Sequence, residues 1–229
     1  MQGDIQEAIR NPKRAFQYML ELRWRAKLYT HLKEIFLDEE YRWLSERLKP
    51  GTTLIDIGAF IGDSAVYFSM QANVKRVVAY EPMPGTYSEG IKVLRERKDG
   101  KILYYNKAVG ATDRTIKLPS KRQGGIAAAS KLSGKNGKTE IQMIVLEEAL
   151  RGHKKVAIKC DVEGDEYNIF MDKKSGTFDE VYAMIMEIHH SNMGSEKTRR
   201  FFSDMKRYGF SSTAIKKGKN VSMYGFLKA

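Results

Sequence analysis

An apolar run that leads into a glycine turn and then a helix is the feature that most constrains the fold of this chain. Residues 53–57 are mostly β-branched or apolar, as in a strand that is buried on both faces. The run leads into Gly58 and Gly62, and residues 63–71 then have the pattern of a helix. Glycines allow a tight turn and a close approach of a ligand, and a helix N-terminus offers unpaired N–H groups. The segment therefore predicts a ligand-binding loop at the end of a parallel strand.

Strand-like and helix-like segments continue to alternate after this loop. The further predicted strands are 76–80, 102–106, 115–118, 139–145, 156–161 and 181–187, and the further predicted helices are 87–98 and 196–208. Strand–helix–strand units of this length imply right-handed crossovers and a parallel sheet. The last two runs, 211–216 and 221–227, read as a β-hairpin. We therefore expect an α/β fold with a Rossmann-like sheet, mostly parallel, that ends in a C-terminal antiparallel hairpin.

The first part of the chain has a different pattern. Apolar residues recur there at three- and four-residue intervals, as at Leu28, Leu32 and Ile35, and this spacing predicts helices. The pair Pro50-Gly51 ends the pattern, since neither residue continues a helix well. We expect an N-terminal helical extension over residues 1–49 and one α/β domain over residues 50–229.

The composition indicates which partners and which cellular compartment to expect, but it does not indicate an activity. The net charge of +12 favours an anionic partner or simply a well-solvated, lysine-rich surface, and no nucleic-acid-binding motif is present. No apolar run is long enough for a transmembrane segment, and the first ten residues carry acids where a signal peptide would be apolar. The single cysteine, Cys160, agrees with a reducing compartment. We expect a cytoplasmic location, while the oligomeric state is left open.

An acid at the end of the first strand indicates the kind of ligand. Asp56 and the glycines have the spacing D-x-G-x-x-x-G, and an acidic group at this point would repel the pyrophosphate of a dinucleotide. It suits an amine-bearing ligand such as the methionine moiety of S-adenosylmethionine. Glu81, at the end of the second strand, is placed to accept hydrogen bonds from ribose hydroxyls. Asn106, at the end of the third, lies where an adenine ring is expected.

Four segments, in the right order, resemble those of the FkbM family of class I S-adenosylmethionine-dependent methyltransferases. They are residues 51–59, 79–82, 106–110 and 158–166. Residues 186–189 also have the family's appearance, while residues 144–150 resemble its threonine-leucine-aspartate segment with Val145 and Glu147 substituted. Residues 1–49 fall outside the resemblance. The resemblance implies that residues 50–229 form a methyltransferase domain, and that S-adenosylmethionine donates a methyl group, often to hydroxyl oxygens of sugars, glycolipids or natural products.

The predicted cofactor contacts combine the residues of the strand ends with those of the matching segments. They are Asp56, Gly58, Ala59, Phe60, Gly62, Glu81, Pro82, Asn106, Ala108 and Asp161.

Two pairs of polar residues indicate where the methyl acceptor binds. Residues i and i+2 of a strand face the same side, so we expect Asp161 to point with Glu163, and Glu187 with His189. If the two strands are neighbours, all four predicted catalytic groups meet at the carboxyl edge of the sheet. In one hypothesis His189 or Asp161 is a general base without metal. In the other, Asp161, Glu163 and Glu187 bind a divalent cation such as Mg²⁺.

Three functions follow from these residues. The favoured one is O-methylation of a hydroxyl-bearing sugar, glycolipid or small metabolite. An RNA methyltransferase is the first alternative, because of the net charge and the lysine-rich stretch 117–138, although no stacking platform or amino-methylating tetrapeptide is present. A protein that binds the cofactor without catalysis is the second alternative.

Overall fold

The computed structural model describes residues 34–36, 39–95, 100–119, 139–190, 194–218 and 220–229. Most of the predicted helical extension lies outside these residues, as does almost all of the lysine-rich stretch. Within the extension, the structure describes a helical turn at residues 34–36 and a short helix, α1 (Arg42–Ser45). No helix among the described residues is long and apolar enough to cross a membrane.

The centre of the fold is a seven-stranded sheet in the order β3-β2-β1-β7-β8-β10-β9. Its strands are β1 (Thr52–Ile57), β2 (Val74–Tyr80), β3 (Ile102–Tyr105), β7 (Val156–Cys160), β8 (Val181–His189), β9 (Phe210–Lys216) and β10 (Val221–Lys228). The pairs from β3 to β8 are parallel, whereas β10 runs antiparallel to both β8 and β9. This confirms the predicted Rossmann-like sheet with a C-terminal antiparallel hairpin.

A smaller sheet, in the order β4-β6-β5, lies beside the main one. Its strands are β4 (Lys107–Gly110), β5 (Arg114–Leu118) and β6 (Thr139–Val145). The sequence predicted β5 and β6 but not β4, because its four residues Lys107–Gly110 include only two apolar side chains and show no alternation. Asn106 was predicted to end the third strand and instead lies in a bend between β3 and β4.

Helices cover both faces of the main sheet. They are α2 (Asp63–Ser69), α3 (Pro84–Arg95), α4 (Leu146–Leu150), α5 (Glu166–Phe170) and α6 (Gly194–Arg207). All six residues of β1 are buried, and successive residues face opposite layers: Leu54 packs with Phe68, and Ile55 packs with Phe170. The short helices α4 and α5 were not predicted from the sequence, since five residues are too few for a helical period.

The described part of the N-terminal extension packs into one of these layers. Ile35, Phe36, Tyr41 and Leu44 are all buried there, and the Tyr41 ring stacks on Phe68 of α2. This packing places Glu34, Ile35, Glu40 and Tyr41 on the wall of a cavity at the carboxyl ends of β1 and β7.

Candidate active site

A cavity of about 290 Å³ opens at the carboxyl edge of the parallel strands. Its walls come from the residues that follow β1, β2 and β7, together with the end of β8 and part of the N-terminal extension. This edge is where ligands bind in open α/β sheets. The volume is close to the lower end of the range for small-molecule sites, about 300–1,000 Å³.

The glycine loop forms one wall of the cavity. Gly58 has a φ of +79°, and a Cβ atom at this position would lie 1.8 Å from the carbonyl oxygen of Asp161. Only glycine therefore fits between β1 and the end of β7. The backbone N–H groups of Gly58 and Ala59 donate to the Tyr80 carbonyl at 3.0 Å, which ties the loop to β2. Gly62, with a φ of +85°, begins helix α2.

Asp56, the acid two residues before Gly58, is held by polar contacts with Ser64 and Lys159. It is fully buried, its Oδ2 accepts a hydrogen bond from Ser64 Oγ at 2.6 Å, and its Oδ1 lies 3.3 Å from Lys159 Nζ. Asp56 does not line the cavity, and neither do Ala59 and Gly62. Gly58 and Phe60, by contrast, do line it.

Glu81 is held in place by the backbone on both sides. Its Oε2 accepts from the Phe60 N–H at 3.1 Å and its Oε1 accepts from the Met83 N–H at 2.8 Å. These two bonds fix the orientation of the Glu81 carboxylate. Glu81 and Pro82 both line the cavity.

Asn106 has a supporting position rather than a place in the cavity wall. Its Nδ2 donates to the carbonyl oxygens of Glu81 and Pro82, at 2.9 and 3.1 Å. Ala108, in β4, lies on the wall instead.

A cluster of acids and one histidine occupies the other side of the cavity. Asp161, Glu187 and His189 each offer one polar atom, and these atoms lie within 4.8 Å of one another. The predicted meeting of β7 and β8 at this edge is thus present in the structure. His189 is buried, whereas Asp161 and Glu187 line the cavity.

Glu163 reaches this cluster, but not by the predicted route. We expected it to continue the strand with Asp161 and to share its side. Strand β7 ends at Cys160, and Glu163 lies in a turn with a φ of +58°. From that turn its Oε2 lies 3.1 Å from Nε2 of His189. The expected strand geometry is therefore wrong for Glu163, because the chain turns immediately after Asp161.

His189 is clamped between two carboxylates. Its Nδ1 lies 2.7 Å from Oε1 of the fully buried Glu166, and its Nε2 faces Glu163. Burial disfavours the charged ring, but the hydrogen bonds to Glu163 and Glu166 outweigh this and raise the pKa of His189 to about 10. At neutral pH the ring is an imidazolium that donates through both nitrogens, and an imidazolium has no free site to accept a proton.

The carboxyl groups of Glu187 and Asp161, beside this histidine, have raised pKa values, which favour their neutral forms. Burial, together with the neighbouring Asp161 and Glu40 carboxylates, raises the pKa of Glu187 to about 8. Burial also raises the pKa of Asp161, against the opposing charge of Lys159. A carboxyl group with a pKa near the working pH is well matched to accept a proton.

The predicted cation set of Asp161, Glu163 and Glu187 does not fit this geometry. Glu163 is engaged with His189, and the group that does converge includes the histidine. Both ring nitrogens of that histidine already face carboxylates. Mg²⁺ prefers oxygen ligands in octahedral geometry, and two carboxylates with an occupied imidazole do not supply them.

Three residues of the site were missed in the sequence. Lys159 lines the cavity two residues before Asp161, and the alternation of the strand would have placed it on the same side. Glu166 is the last residue of the matching segment 158–166, but its contact with His189 depends on helix α5. Glu40 lines the cavity from the N-terminal extension, and no local pattern indicates this contact.

The strand order, the antiparallel last strand and the position of the cavity define the Rossmann-like methyltransferase class of fold. The model of the methyltransferase FkbM domain family matches residues 56–212, which is more than half of the chain. The chain therefore belongs to the FkbM family and is an S-adenosylmethionine-dependent methyltransferase. No curated protein matches its sequence significantly.

Solved structures with the same fold include methyltransferases of distant sequence. An rRNA methylase from Streptococcus thermophilus has a TM-score of 0.52 at 8% identity, over 85% of this chain and 95% of that one. A Streptococcus pneumoniae protein assigned as a tRNA (m1A22) methyltransferase, in complex with S-adenosyl-L-methionine, has a TM-score of 0.50 at 12% identity. That match covers 83% of this chain and 72% of the other. Identities this low show a shared fold and do not identify the acceptor.

Proposed function

We propose that the protein transfers the methyl group of S-adenosylmethionine to a hydroxyl oxygen of a sugar, glycolipid or small metabolite. The observation that supports this proposal is the pair of carboxyl groups, Asp161 and Glu187, in the cavity beside the glycine loop. A hydroxyl is a poor nucleophile until its proton leaves. A positioned carboxylate accelerates such a step by about 10²–10⁴-fold.

The cofactor would lie along the carboxyl edge, with its parts on different strand ends. Glu81 would hold the ribose hydroxyls. Pro82 and Ala108, which line the cavity, would border the adenine, and Asn106 fixes the backbone of Glu81 and Pro82. The Gly58 loop would hold the methionine part. Asp161 and Glu187 line the same cavity and would meet the acceptor of the methyl group.

In this proposal Glu187 is the general base. Its carboxylate takes the hydroxyl proton as the oxygen attacks the methyl carbon, and the carbon–sulfur bond breaks with its electron pair on sulfur. The products are the methyl ether, S-adenosylhomocysteine and protonated Glu187. Asp161 holds the acceptor hydroxyl in line, which supplies much of the rate through orientation. The His189 imidazolium keeps the Glu163 turn in place.

The charge of the cavity argues against RNA as the acceptor. Among the described residues that line it, eight side chains are acidic and only Lys159 is basic. A phosphate-bearing chain would be repelled there. A basic cleft does exist, formed by Lys75, Arg76, Lys154 and Lys155 among others, but it lies at the amino ends of β1, β2 and β7. Phosphates bound in that cleft would be at the opposite edge of the sheet from the acids.

Labelled methyl transfer into a cell extract tests this function. S-adenosylmethionine with a labelled methyl group is added, and the extract is then separated into RNA, protein, glycolipid and small molecules. We expect label in glycolipid or small molecules, and its loss with the Asp161→Asn, Glu187→Gln double variant. Glu180→Gln, an exposed acid before β8, is the matched control and should keep activity.

The other outcomes are equally informative. Label in RNA would overturn the assignment of the acceptor. A wild-type protein that binds the cofactor and labels nothing would favour the non-catalytic alternative.

A further inference from the structure

Lys159 is the one basic side chain among the described residues that line the cavity. It lies in β7 two residues before Asp161, and its side chain is 4% exposed. Burying an unpaired ammonium is costly, so a lysine in this position needs partners. The mechanism proposed above gives Lys159 no task.

The Lys159 ammonium contacts the glycine loop and the acid that precedes it in β1. Its Nζ donates to the Gly58 carbonyl oxygen at 2.7 Å and lies 3.3 Å from Oδ1 of Asp56. An ammonium has three donors, and the hydrogen bond to Gly58 uses one of them. Although burial disfavours its charge, the carboxylates of Asp56 and Asp161 raise the pKa of Lys159, so the group is a cation at the cavity wall.

The chemistry of S-adenosylmethionine demands a cation at one point of this cavity. Its methionine part carries an ammonium and a sulfonium, which suit the acidic lining, but also a carboxylate, which that lining repels. A charged donor beside the glycine loop resolves this conflict. We propose that the Lys159 ammonium binds the carboxylate of the methionine part of the cofactor. This inference rests on the proposed binding of S-adenosylmethionine with its methionine part at the Gly58 loop.

A purely structural role is the competing explanation. In that case Lys159 only holds Gly58 and Asp56 in position, and its loss weakens the binding of every ligand of the loop to the same extent. A role in carboxylate binding is selective, because it affects only ligands that carry the carboxylate. Decarboxylated S-adenosylmethionine keeps the adenosine, sulfonium and amine and lacks that single group, so it separates the two explanations.

The experiment compares the affinities of the two ligands by calorimetry, for the wild-type protein and for Lys159→Met. We expect the wild-type protein to bind S-adenosylmethionine about 10- to 100-fold more tightly than the decarboxylated form, as for a charge-assisted hydrogen bond. Lys159→Met should bring the two affinities within about threefold of each other, chiefly because the binding of S-adenosylmethionine becomes weaker. Lys101→Met is the matched control, since Lys101 also donates to a backbone carbonyl, that of Ser69, away from the cavity. It should leave the ratio unchanged.

Equal weakening of both ligands in Lys159→Met, or an unchanged ratio, would overturn the proposal in favour of a structural role. If the Met variant does not fold, Lys159→Gln takes its place, because an amide retains a donor for Gly58 without the charge. Equal affinity of the wild-type protein for both ligands would also overturn the proposal that Lys159 binds the carboxylate. A wild-type protein that binds neither ligand contradicts the proposed function itself.

Discussion

Glu187 is the residue on which the proposed chemistry depends most directly. Its carboxyl group accepts a proton only in the ionised form, and its pKa in the cofactor-free protein is raised to about 8. The sulfonium of a bound cofactor favours the carboxylate, so the midpoint under turnover should lie at or below this value. We expect turnover to rise with pH through this range, and Glu187→Gln to lower kcat by about 10²–10⁴-fold. Steady-state rates across pH measure both effects, with Glu180→Gln as control. A Gln variant with wild-type kcat would contradict the assignment.

The protonation of His189 depends on its two neighbours. One hypothesis from the sequence made His189 or Asp161 the general base, whereas the carboxylates of Glu163 and Glu166 face both ring nitrogens and favour the imidazolium. Its raised pKa means that this interaction stabilises the fold fully below the ordinary value of 6.5 and is lost as pH rises through about 10. By NMR titration, His189 should keep its proton to well above neutral pH. Glu166→Gln should lower that pKa, since it removes a negative partner. A wild-type midpoint near 6.5 would restore His189 as a candidate base.

The residues of the site differ in how far the sequence could have located them. Glu187 and His189 follow from strand alternation, which is a local rule, and the structure brings them together with Asp161. The same rule failed at Glu163 because the strand had already ended. Glu40 lines the cavity although it lies more than a hundred residues before Asp161 and Glu187 in the sequence. Only tertiary packing determines such a contact.

At the scale of elements, the approach of the β1 loop to the end of β7 depends on Gly58. Replacement by alanine would place a Cβ atom 1.8 Å from the Asp161 carbonyl oxygen, at a φ of +79°. Gly51 is a matched control, since its φ is +82° but no atom lies within 4 Å of a Cβ there. Gly51→Ala should lower the free energy of unfolding by about 1–3 kcal/mol through backbone strain alone. Gly58→Ala should lower the free energy of unfolding by more than Gly51→Ala does, and it should also weaken the binding of S-adenosylhomocysteine. Denaturant unfolding compares the two; equal losses would mean that the loop can move away from β7.

Elements with a clear apolar run or period were predicted well, and those without one were not. The parallel strands of the main sheet follow from such runs, even the four-residue β3, and the hairpin follows from two strand-like runs across a short turn. Strand β4 has four residues and pairs with β6, more than thirty residues later, so its existence depends on a non-local partner. The helices α4 and α5 are too short to carry a helical period.

At the scale of the whole molecule, charge is divided between the two edges of the sheet. The chain has a net charge of +12, yet the cavity wall is acidic, and the basic cleft lies at the amino ends of the strands. The net charge therefore describes the outer surface and not the site of methyl transfer. Binding of RNA to such a surface is expected to be electrostatic and separate from catalysis.

Salt separates surface binding from acceptor recognition. A protein that contacts 6–10 phosphates loses roughly 10³–10⁵-fold in affinity between about 50 and about 200 mM salt. We expect any RNA binding to show this loss, and kcat/KM for the hydroxyl acceptor to change by less than about threefold over the same range, because an uncharged acceptor displaces no counterions. Charge reversal in the basic cleft, Lys75→Glu with Arg76→Glu, should abolish RNA binding and leave methyl transfer to the hydroxyl acceptor intact. If instead methyl transfer falls with salt in parallel with RNA binding, and falls again in the charge-reversed variant, the nucleic acid is the acceptor and the acidic cavity must admit a single base without its phosphates.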